Sequence, residues 1–334
     1  MKHQHRQLAA LAGCVLTASL ALTACTGTPA PSPGAESSSG SQGGKTFTIG
    51  SMVWNVSNPF YTNFIKGQQE EAEKLGVTLV LVDGKADIGT EIAGVQQLIS
   101  QQVDAILVVP SDAVGITPAL KKANEAGIPV FAVNNRADDK AAEIVTFIGA
   151  DDVEFGRQQA KLLVESIGEE GKVAYMMGQL GTSAQLLRKQ GFDEVLKDHP
   201  GITILEEQAA NWDAAKALSL TQDWLGKYAA GTIDAIVDQG PEGANAAKYA
   251  YDSGRTDLKY IVGDYPLEVR QGIEAGYIHG TVDQDPKPQG VRSVEAAVQW
   301  LSGEQGKVAR PNEYLELPIV TKANVADYAA AWGE

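Results

Sequence analysis

Cysteine is nearly absent from this chain of 334 residues, and the two that occur are Cys14 and Cys25, both near the amino terminus. No disulfide can therefore cross-link the rest of the chain, and no pair of cysteines is spaced to bind zinc or to act as a redox centre. About 290 residues follow residue 44, enough for two lobes that each bury a hydrophobic core.

Histidine and catalytic motifs are also scarce. Of four histidines, only His199 and His279 lie beyond the first five residues, and both are most simply structural. The chain has no GxGxxG, GxxxxGK[ST] or GxSxG loop. The acids at 151, 152 and 154 suit the first turn of a helix better than a metal site. We therefore expect a protein that is not an enzyme and that holds no cofactor and no metal.

Basic residues are outnumbered, since 27 lysines and arginines face 42 acidic residues and leave a net charge of −15. Nucleic acids and anionic membrane surfaces both require basic patches. We therefore expect neither as a binding partner. A transcription repressor is excluded as well, because the amino terminus carries no helix-turn-helix pattern.

The amino terminus instead has the pattern of an export signal. Lys2 and Arg6 precede an apolar run over residues 8–22 that is too short for a permanent membrane span. The run ends in Leu-Thr-Ala-Cys, which resembles the lipobox of bacterial lipoproteins. That resemblance implies removal of residues 1–24 and attachment of a diacylglycerol to Cys25, which would hold the protein at the outer face of the cell membrane.

Residues 25–44 follow as a stretch rich in Pro, Ser, Gly and Thr, with almost no large apolar side chain. Such a segment cannot bury enough surface to offset its chain entropy, and we interpret it as a flexible linker.

Beyond residue 44, short apolar runs alternate with longer amphipathic ones, a pattern typical of βαβ units with parallel sheets. The strands predicted from it are Phe47–Val53, Val77–Val82, Ala105–Val109, Val130–Val133, Ile144–Ile148, Val173–Met177, Ile202–Glu206, Ala235–Asp238, Tyr260–Gly263, Gly280–Val282 and Tyr314–Val320. The predicted helices are Pro59–Leu75, Thr90–Gln101, Gly115–Ala126, Ser183–Asp198, Asp213–Tyr228, Gly243–Ser253, Pro288–Leu301 and Asn324–Trp332.

There are too many strands for one open sheet of ordinary size, so we predict an α/β fold of two Rossmann-like lobes. The first lobe is expected to contain residues 45–150 and 285–313, and the second residues 151–284 and 314–334. The first crossing between them is placed at Gly149–Asp152.

A family resemblance rests on several short motifs in the order of these elements. Ser57-Asn58-Pro59-Phe60-Tyr61 follows the first strand. Later matches are Ile128-Pro129-Val130, Gly181-Thr182-Ser183-Ala184 before Arg188 and Gly191-Phe192, Asn211-Trp212-Asp213, Gly263-Asp264 and Thr281-Val282-Asp283-Gln284. Together they resemble the ribose-binding-protein family, the sugar-capturing components of ABC importers. The resemblance covers nearly all of the chain after the linker and implies the type I periplasmic-binding-protein fold with a three-segment hinge.

The motif residues fall at the carboxyl ends of predicted strands, where open α/β sheets bind ligands. Aromatic faces can cover the C–H surfaces of a sugar, and Asn, Asp, Arg and Gln side chains can bind neighbouring hydroxyls. The residues that we expect to bind ligand are Trp54, Asn58, Phe60, Tyr61, Asn134, Asn135, Arg136, Arg188, Trp212, Gln239, Asp264 and Gln284. The alternatives are that Phe60 is a core residue, that Trp212 packs locally and that Arg188 is a solvated helix charge.

Three departures from the family bear on specificity. Pentose and hexose binders often have Asp-Arg where this chain has Asn134-Asn135, and Asn-Asp near the position of Gln239-Gly240-Pro241. Trp54 stands where a small polar residue is common. Such changes alter which ligand is accepted, because buried groups left unpaired are costly. They favour a small neutral sugar or an acyclic sugar alcohol of four to six carbons.

The resemblance implies a monomer whose lobes close over the ligand and present it to an ABC permease in the membrane. A receptor that serves a chemosensor or sensor kinase without import would use the same closure, and the sequence leaves that alternative open.

Overall fold

The computed structural model describes residues 46–333, and the elements named below all lie within that range. The predicted signal segment, the lipidated Cys25 and the linker lie outside the described residues. The strands are β1 (Thr48–Val53), β2 (Thr78–Asp83), β3 (Ala105–Val108), β4 (Val130–Val133), β5 (Phe147–Gly149), β6 (Glu170–Met177), β7 (Gly201–Ala209), β8 (Ala235–Asp238), β9 (Lys259–Gly263), β10 (Gly280–Val282), β11 (Asn312–Tyr314) and β12 (Ile319–Thr321). The helices are α1 (Pro59–Leu75), α2 (Ile88–Ser100), α3 (Thr117–Glu125), α4 (Asp152–Ile167), α5 (Ser183–Leu196), α6 (Ala214–Lys227), α7 (Ala244–Asp252), α8 (Leu267–Ala275) and α9 (Pro286–Leu301).

The strands form two sheets of six, and we define the two lobes by them. The first sheet has the order β11-β5-β4-β3-β1-β2 and the second β12-β10-β9-β8-β6-β7. Every recorded pairing is parallel except that of β10 with β12. Apolar side chains pack on both faces of each sheet, as expected for parallel strands covered by helices. The predicted fold class is confirmed.

The chain crosses between the lobes three times. It leaves the first sheet after β5 and enters α4, returns between β10 and α9, and crosses again between β11 and β12. The first crossing lies between Gly149 at the end of β5 and Asp152 at the start of α4. Tyr314 pairs with Gly149 in the first sheet, so the last change of sheet comes after residue 314 rather than at it.

Local sequence signals account for the helix that opens the first lobe. Asn58 is the N-cap of α1 and its Oδ1 accepts a hydrogen bond from the Phe60 N–H at 2.9 Å. Pro59 occupies the first turn, where its missing N–H costs no helical hydrogen bond. Gly76 ends the helix with φ of 66°, a left-handed conformation that favours glycine. The predicted bounds of this helix are therefore confirmed.

Two helices of the second lobe approach so closely that only glycine fits between them. A Cβ at Gly156 of α4 would lie 1.9 Å from the carbonyl oxygen of Arg188 in α5, and one at Gly191 would lie 1.9 Å from that of Val153. This contact places the first turn of α4 directly beside Arg188.

The carboxyl-terminal region differs from its prediction. The single strand expected over 314–320 is split between β11 and β12, because each half pairs with a different sheet. The helix expected over 324–332 is reduced to a 3₁₀ turn at Val325–Asp327. The residues after that turn instead make backbone hydrogen bonds to the loop that follows Asp264.

Within residues 46–333, no helix combines the length and apolar character that a membrane crossing requires.

Candidate functional site

A cavity of about 460 Å³ opens where strands of both sheets end. The volume suits a small-molecule ligand, and its position is the one at which open α/β sheets bind ligands. Ten of the twelve predicted residues line it: Trp54, Asn58, Phe60, Tyr61, Asn134, Asn135, Arg188, Trp212, Asp264 and Gln284.

The first lobe contributes a cluster of aromatic rings. Trp54 follows β1, and Phe60 and Tyr61 form the first turn of α1. The Trp54 and Tyr61 ring centroids are 5.6 Å apart, and Phe60 meets Tyr61 edge to face at 5.1 Å. All three residues are buried, and the indole Nε1 of Trp54 has no hydrogen-bond partner among the described residues. The cluster thus offers apolar faces together with an unused donor.

Asn134 holds this cluster in place. The Tyr61 hydroxyl donates to Asn134 Oδ1 at 2.7 Å, and Asn134 Nδ2 donates to Gln289 Oε1 at 3.1 Å. The Asn134 amide is thereby largely occupied, with the residue in a left-handed conformation at φ of 60°. The neighbouring Asn135 is 4% exposed, and its Oδ1 lacks a partner within the described range. Asn135 is therefore the freer of the two amides for a ligand.

Trp212 forms an aromatic face in the second lobe. It follows β7 and has φ of 57°, which is strained for a bulky residue. Its ring lies against the backbone of Gly178 and Gly240, where added Cβ atoms would come within 1.8 Å and 3.0 Å of it. Two strand-end glycines thus provide the space for this ring.

Arg188 is buried in an ion pair beneath the cavity. Its Nε donates to Asp152 Oδ1 at 3.0 Å, and its Nη1 donates to the carbonyl oxygen of Gln239 at 2.7 Å. The guanidinium stacks on the Phe155 ring, 3.8 Å from the centroid. Burial raises the pKa of Asp152, and the charge of Arg188 opposes that rise. At 2% exposure, Arg188 is not the solvated surface charge considered as an alternative.

Asp264 projects from the end of β9 with φ of 58° and is 5% exposed. Its Oδ1 has no hydrogen-bond partner in the described part of the chain. Burial raises its pKa to about 6, against the opposing effect of Arg188. A buried carboxylate oxygen without a partner is costly, and a ligand hydroxyl would satisfy it.

Glu242 lies next to this carboxylate and was not predicted. A Cβ at Gly240 would lie 2.2 Å from Glu242 Oε2, so the side chain folds back over that glycine. The Oε2 atom is shielded and lacks a partner among the described groups. Burial, with repulsion from Asp238, raises the pKa of Glu242 well above its usual range.

Two predicted residues do not reach the cavity. Arg136 donates from Nη1 to Asn312 Oδ1 at 2.8 Å and stacks on Phe147, which turns it toward β11. The Gln239 side chain accepts from the Gly178 N–H at 2.8 Å and donates to Tyr175 at 3.0 Å. The expectation that these two side chains line the site is corrected, because their hydrogen-bonding groups are used within the protein.

The cavity also contains residues that the sequence analysis missed, among them Asp213, Glu242, Asn245, Glu268 and Trp332. Glu242 could have been found, since it follows β8 as the other site residues follow their strands. Trp332 could not, because its assignment to a helix gave no reason to place it near Phe60.

No group of three or more metal-ligating side chains occurs within residues 46–333.

Comparisons with known proteins agree with this architecture. A family model described as a periplasmic binding protein domain matches residues 49–305. The ribose import binding protein of Bacillus subtilis is 32% identical over 292 residues, covering 87% of this chain and 93% of that protein. A xylitol-binding protein of Mycolicibacterium smegmatis is 29% identical over 281 residues, covering 84% and 78%.

The fold also matches the solved structure of an ABC transporter solute binding protein from Bacillus halodurans with bound myo-inositol. The TM-score is 0.78 at 28% identity, covering 86% of this chain and 98% of the other. These relatives are all binding proteins, and two of them serve import or an ABC transporter, in agreement with the expectation that the chain is not an enzyme. The chain belongs to the periplasmic binding protein domain family, in the ribose-binding-like group of type I folds.

Proposed function

We propose that this protein is the solute-binding lipoprotein of an ABC importer and that it captures a small neutral sugar or sugar alcohol between its lobes. The observation that carries the proposal is the cavity itself, in which aromatic faces from both lobes surround buried polar atoms without partners. Aromatic faces and fixed hydrogen-bonding groups are together what a polyhydroxylated ligand requires.

Capture would occur by closure of the lobes about the three crossing segments. The backbone N–H of Arg136 donates to Ser183 Oγ at 2.6 Å, and this hydrogen bond joins the first lobe to the second. A ligand that touches both lobes binds the closed arrangement more tightly and shifts the population toward it. The closed form is then the one that a permease would recognise.

An acyclic sugar alcohol is the ligand that we favour. Trp54 narrows the first-lobe side of the cavity, and the Asn134 amide is occupied by Tyr61 and Gln289. The first lobe therefore presents few polar groups of the kind that bind a ring oxygen and an anomeric hydroxyl. A linear polyol needs neither, and the similarity to a xylitol-binding protein adds support.

The ligand class is tested by thermal unfolding with xylitol, ribitol, erythritol, D-ribose and D-glucose. We expect the alditols to raise Tm by roughly 4–10 °C at a hundredfold excess over Kd, a stabilisation of about 2.7 kcal/mol. Calorimetric titration then gives Kd for each ligand that stabilises the protein. Stabilisation by the cyclic sugars alone would contradict the preference for alditols, and none by any of the five would contradict the proposed ligand class.

The lipid anchor at Cys25 is the second part of the proposal. A single acyl chain gives only marginal retention at about 0.8 kcal/mol per buried CH₂, whereas a diacylglycerol supplies two chains. A captor of dilute solute benefits from this retention because it stays near its permease.

Replacing Cys25 by serine is expected to move the protein from the membrane fraction to the medium. Ligand affinity should be unchanged, because the described residues that line the cavity all lie beyond position 50. Fractionation with immunoblotting measures the first effect, and titration of the released protein measures the second. Retention of the serine variant in the membrane would contradict a lipid anchor at this position.

A further inference from the structure

The carboxyl-terminal segment after β12 is attached to the second lobe. Val325 is buried in the apolar core of that lobe, and the Tyr265 hydroxyl donates to its carbonyl oxygen at 3.4 Å. Further along, the Ala331 N–H donates to the carbonyl oxygen of Tyr265 at 2.8 Å. The Leu267 N–H donates to that of Trp332 at 2.9 Å. The end of the segment is thus fixed to the loop directly after Asp264.

The side chain of Trp332 nevertheless packs on the other lobe. Its ring meets that of Phe60 edge to face, with centroids 5.5 Å apart and planes at 85°. Trp332 is 6% exposed and packs with the apolar core of the first lobe, whereas the neighbouring Ala331 is half-buried and Gly333 is exposed. The Trp332 side chain is therefore buried across the cleft from the lobe that holds its backbone, and it also lines the cavity.

We propose that Trp332 is a closing residue of the binding site, which covers the ligand from the second lobe and stabilises the closed arrangement through its contact with Phe60. The proposal rests on the proposed function, since it assumes that the cavity holds a ligand. In this role Trp332 would contribute to ligand specificity and would slow ligand release. It does so from a segment outside the strand ends that form the rest of the site.

Closure of the lobes removes the Trp332 ring and the edge of the Phe60 ring from water. The backbone of Trp332 is held by the second lobe and its ring by the first, so separating the lobes exposes the indole and the edge of Phe60. Burial of a tryptophan face is among the larger contributions at such contacts, and an edge-to-face pair adds to it. Loss of the ring should therefore increase the dissociation rate more than it decreases the association rate.

The contact itself can be tested without any ligand. The protein has five tryptophans, so ¹⁹F NMR of the 5-fluorotryptophan-labelled chain gives few resonances, and Trp332→Phe assigns the one of interest. We expect Phe60→Leu to shift the Trp332 resonance. The Trp224 resonance should stay in place, because that residue lies in the core of the second lobe. A Trp332 resonance unmoved by Phe60→Leu, both in the ligand-free protein and in the presence of xylitol, would overturn the proposal.

Function is tested with xylitol as the probe. Trp332→Ala is expected to raise Kd at least tenfold, about 1.4 kcal/mol, mainly through a faster dissociation rate in stopped-flow measurements. Trp332→Phe should restore most of the affinity because it keeps an aromatic edge. Trp300→Phe is the matched control, since Trp300 packs on Phe131 and does not line the cavity.

An unchanged dissociation rate in Trp332→Ala would overturn the proposal, as would an equal loss in Trp300→Phe. Failure of the wild-type protein to bind xylitol would contradict the alditol preference instead. In that case the NMR measurement still decides whether the Trp332–Phe60 contact forms. The two proposals can therefore fail separately.

Discussion

Replacing Arg188 by methionine is expected to lower the free energy of unfolding by about 3–5 kcal/mol and to raise the ligand Kd at least tenfold. Arg188 neutralises Asp152, and the two side chains are 3% and 1% exposed. Without the guanidinium, the Asp152 carboxylate stays buried and uncompensated, while the carbonyl oxygen of Gln239 loses its donor. Urea unfolding followed by tryptophan fluorescence measures the stability change.

A double variant separates stability from binding. In Arg188→Met with Asp152→Asn, the buried charge is gone, so most of the lost stability should return. Ligand affinity should remain low, because the cavity still lacks its buried cation. The loss of unfolding free energy in the single variant should also become smaller toward low pH, since protonation of Asp152 removes the uncompensated charge. A single variant as stable as the wild type at pH 8 would contradict this account of Arg188.

Three of the seven non-glycine residues with positive φ in the described part of the chain lie at strand ends and line the cavity. Asn134, Trp212 and Asp264 all have φ between 57° and 60°, and all three line the cavity. Left-handed backbone at non-glycine residues costs on the order of 1–3 kcal/mol each, and it persists where the surroundings hold it. Here the conformation turns side chains from the strand ends into the cleft. The cost in stability is therefore linked to the orientation of the binding groups.

The sequence was sufficient to predict the fold and much of the site, because both depend on local rules. Alternating apolar runs and helix caps such as Asn58 and Gly76 locate the elements, and parallel strands place their carboxyl ends together. Asp264 and Trp212 could be placed in the cleft because they follow predicted strands and also match motifs of the family that the chain resembles.

The errors arise where long-range contacts decide. Arg136 and Gln239 follow strands as the other site residues do, but nearby partners in β11 and β6 satisfy them. The alanine-rich carboxyl terminus has the propensity of a helix, yet its backbone hydrogen-bonds to the loop after Asp264. Trp332 therefore reaches the cavity through tertiary pairing, which no local pattern indicates.

Replacing Asp264 by asparagine is expected to change affinity and stability in opposite directions. Asparagine keeps the size of the side chain and tolerates the left-handed backbone at φ of 58°, so the substitution removes mainly the charge. We expect Kd to rise by about ten- to a hundredfold, as for loss of a charged hydrogen bond. Alanine is the poorer test, because it also adds backbone strain.

The stability of the ligand-free Asp264→Asn protein should increase by roughly 1–3 kcal/mol at pH 8. Burial raises the pKa of Asp264 to about 6, above the unfolded value of 3.8, so the folded state binds the extra proton between these values. The stabilisation that the protonated Asp264 carboxyl gives the folded state is thus full below pH 3.8 and is lost as the pH rises through about 6. The gain from asparagine should accordingly shrink toward pH 4.

Ligand binding should show the reverse dependence on pH. The ionised carboxylate is the better acceptor for two ligand hydroxyls, so wild-type affinity should fall as the pH drops through about 6. Asp238 and Glu242 titrate nearby, and comparison with Asp264→Asn over the same pH range isolates the contribution of Asp264. Parallel affinity profiles for the two proteins would remove Asp264 from the ligand contacts. Diverging profiles, with the stability gain at pH 8, would show that this carboxylate is retained for binding at the expense of stability.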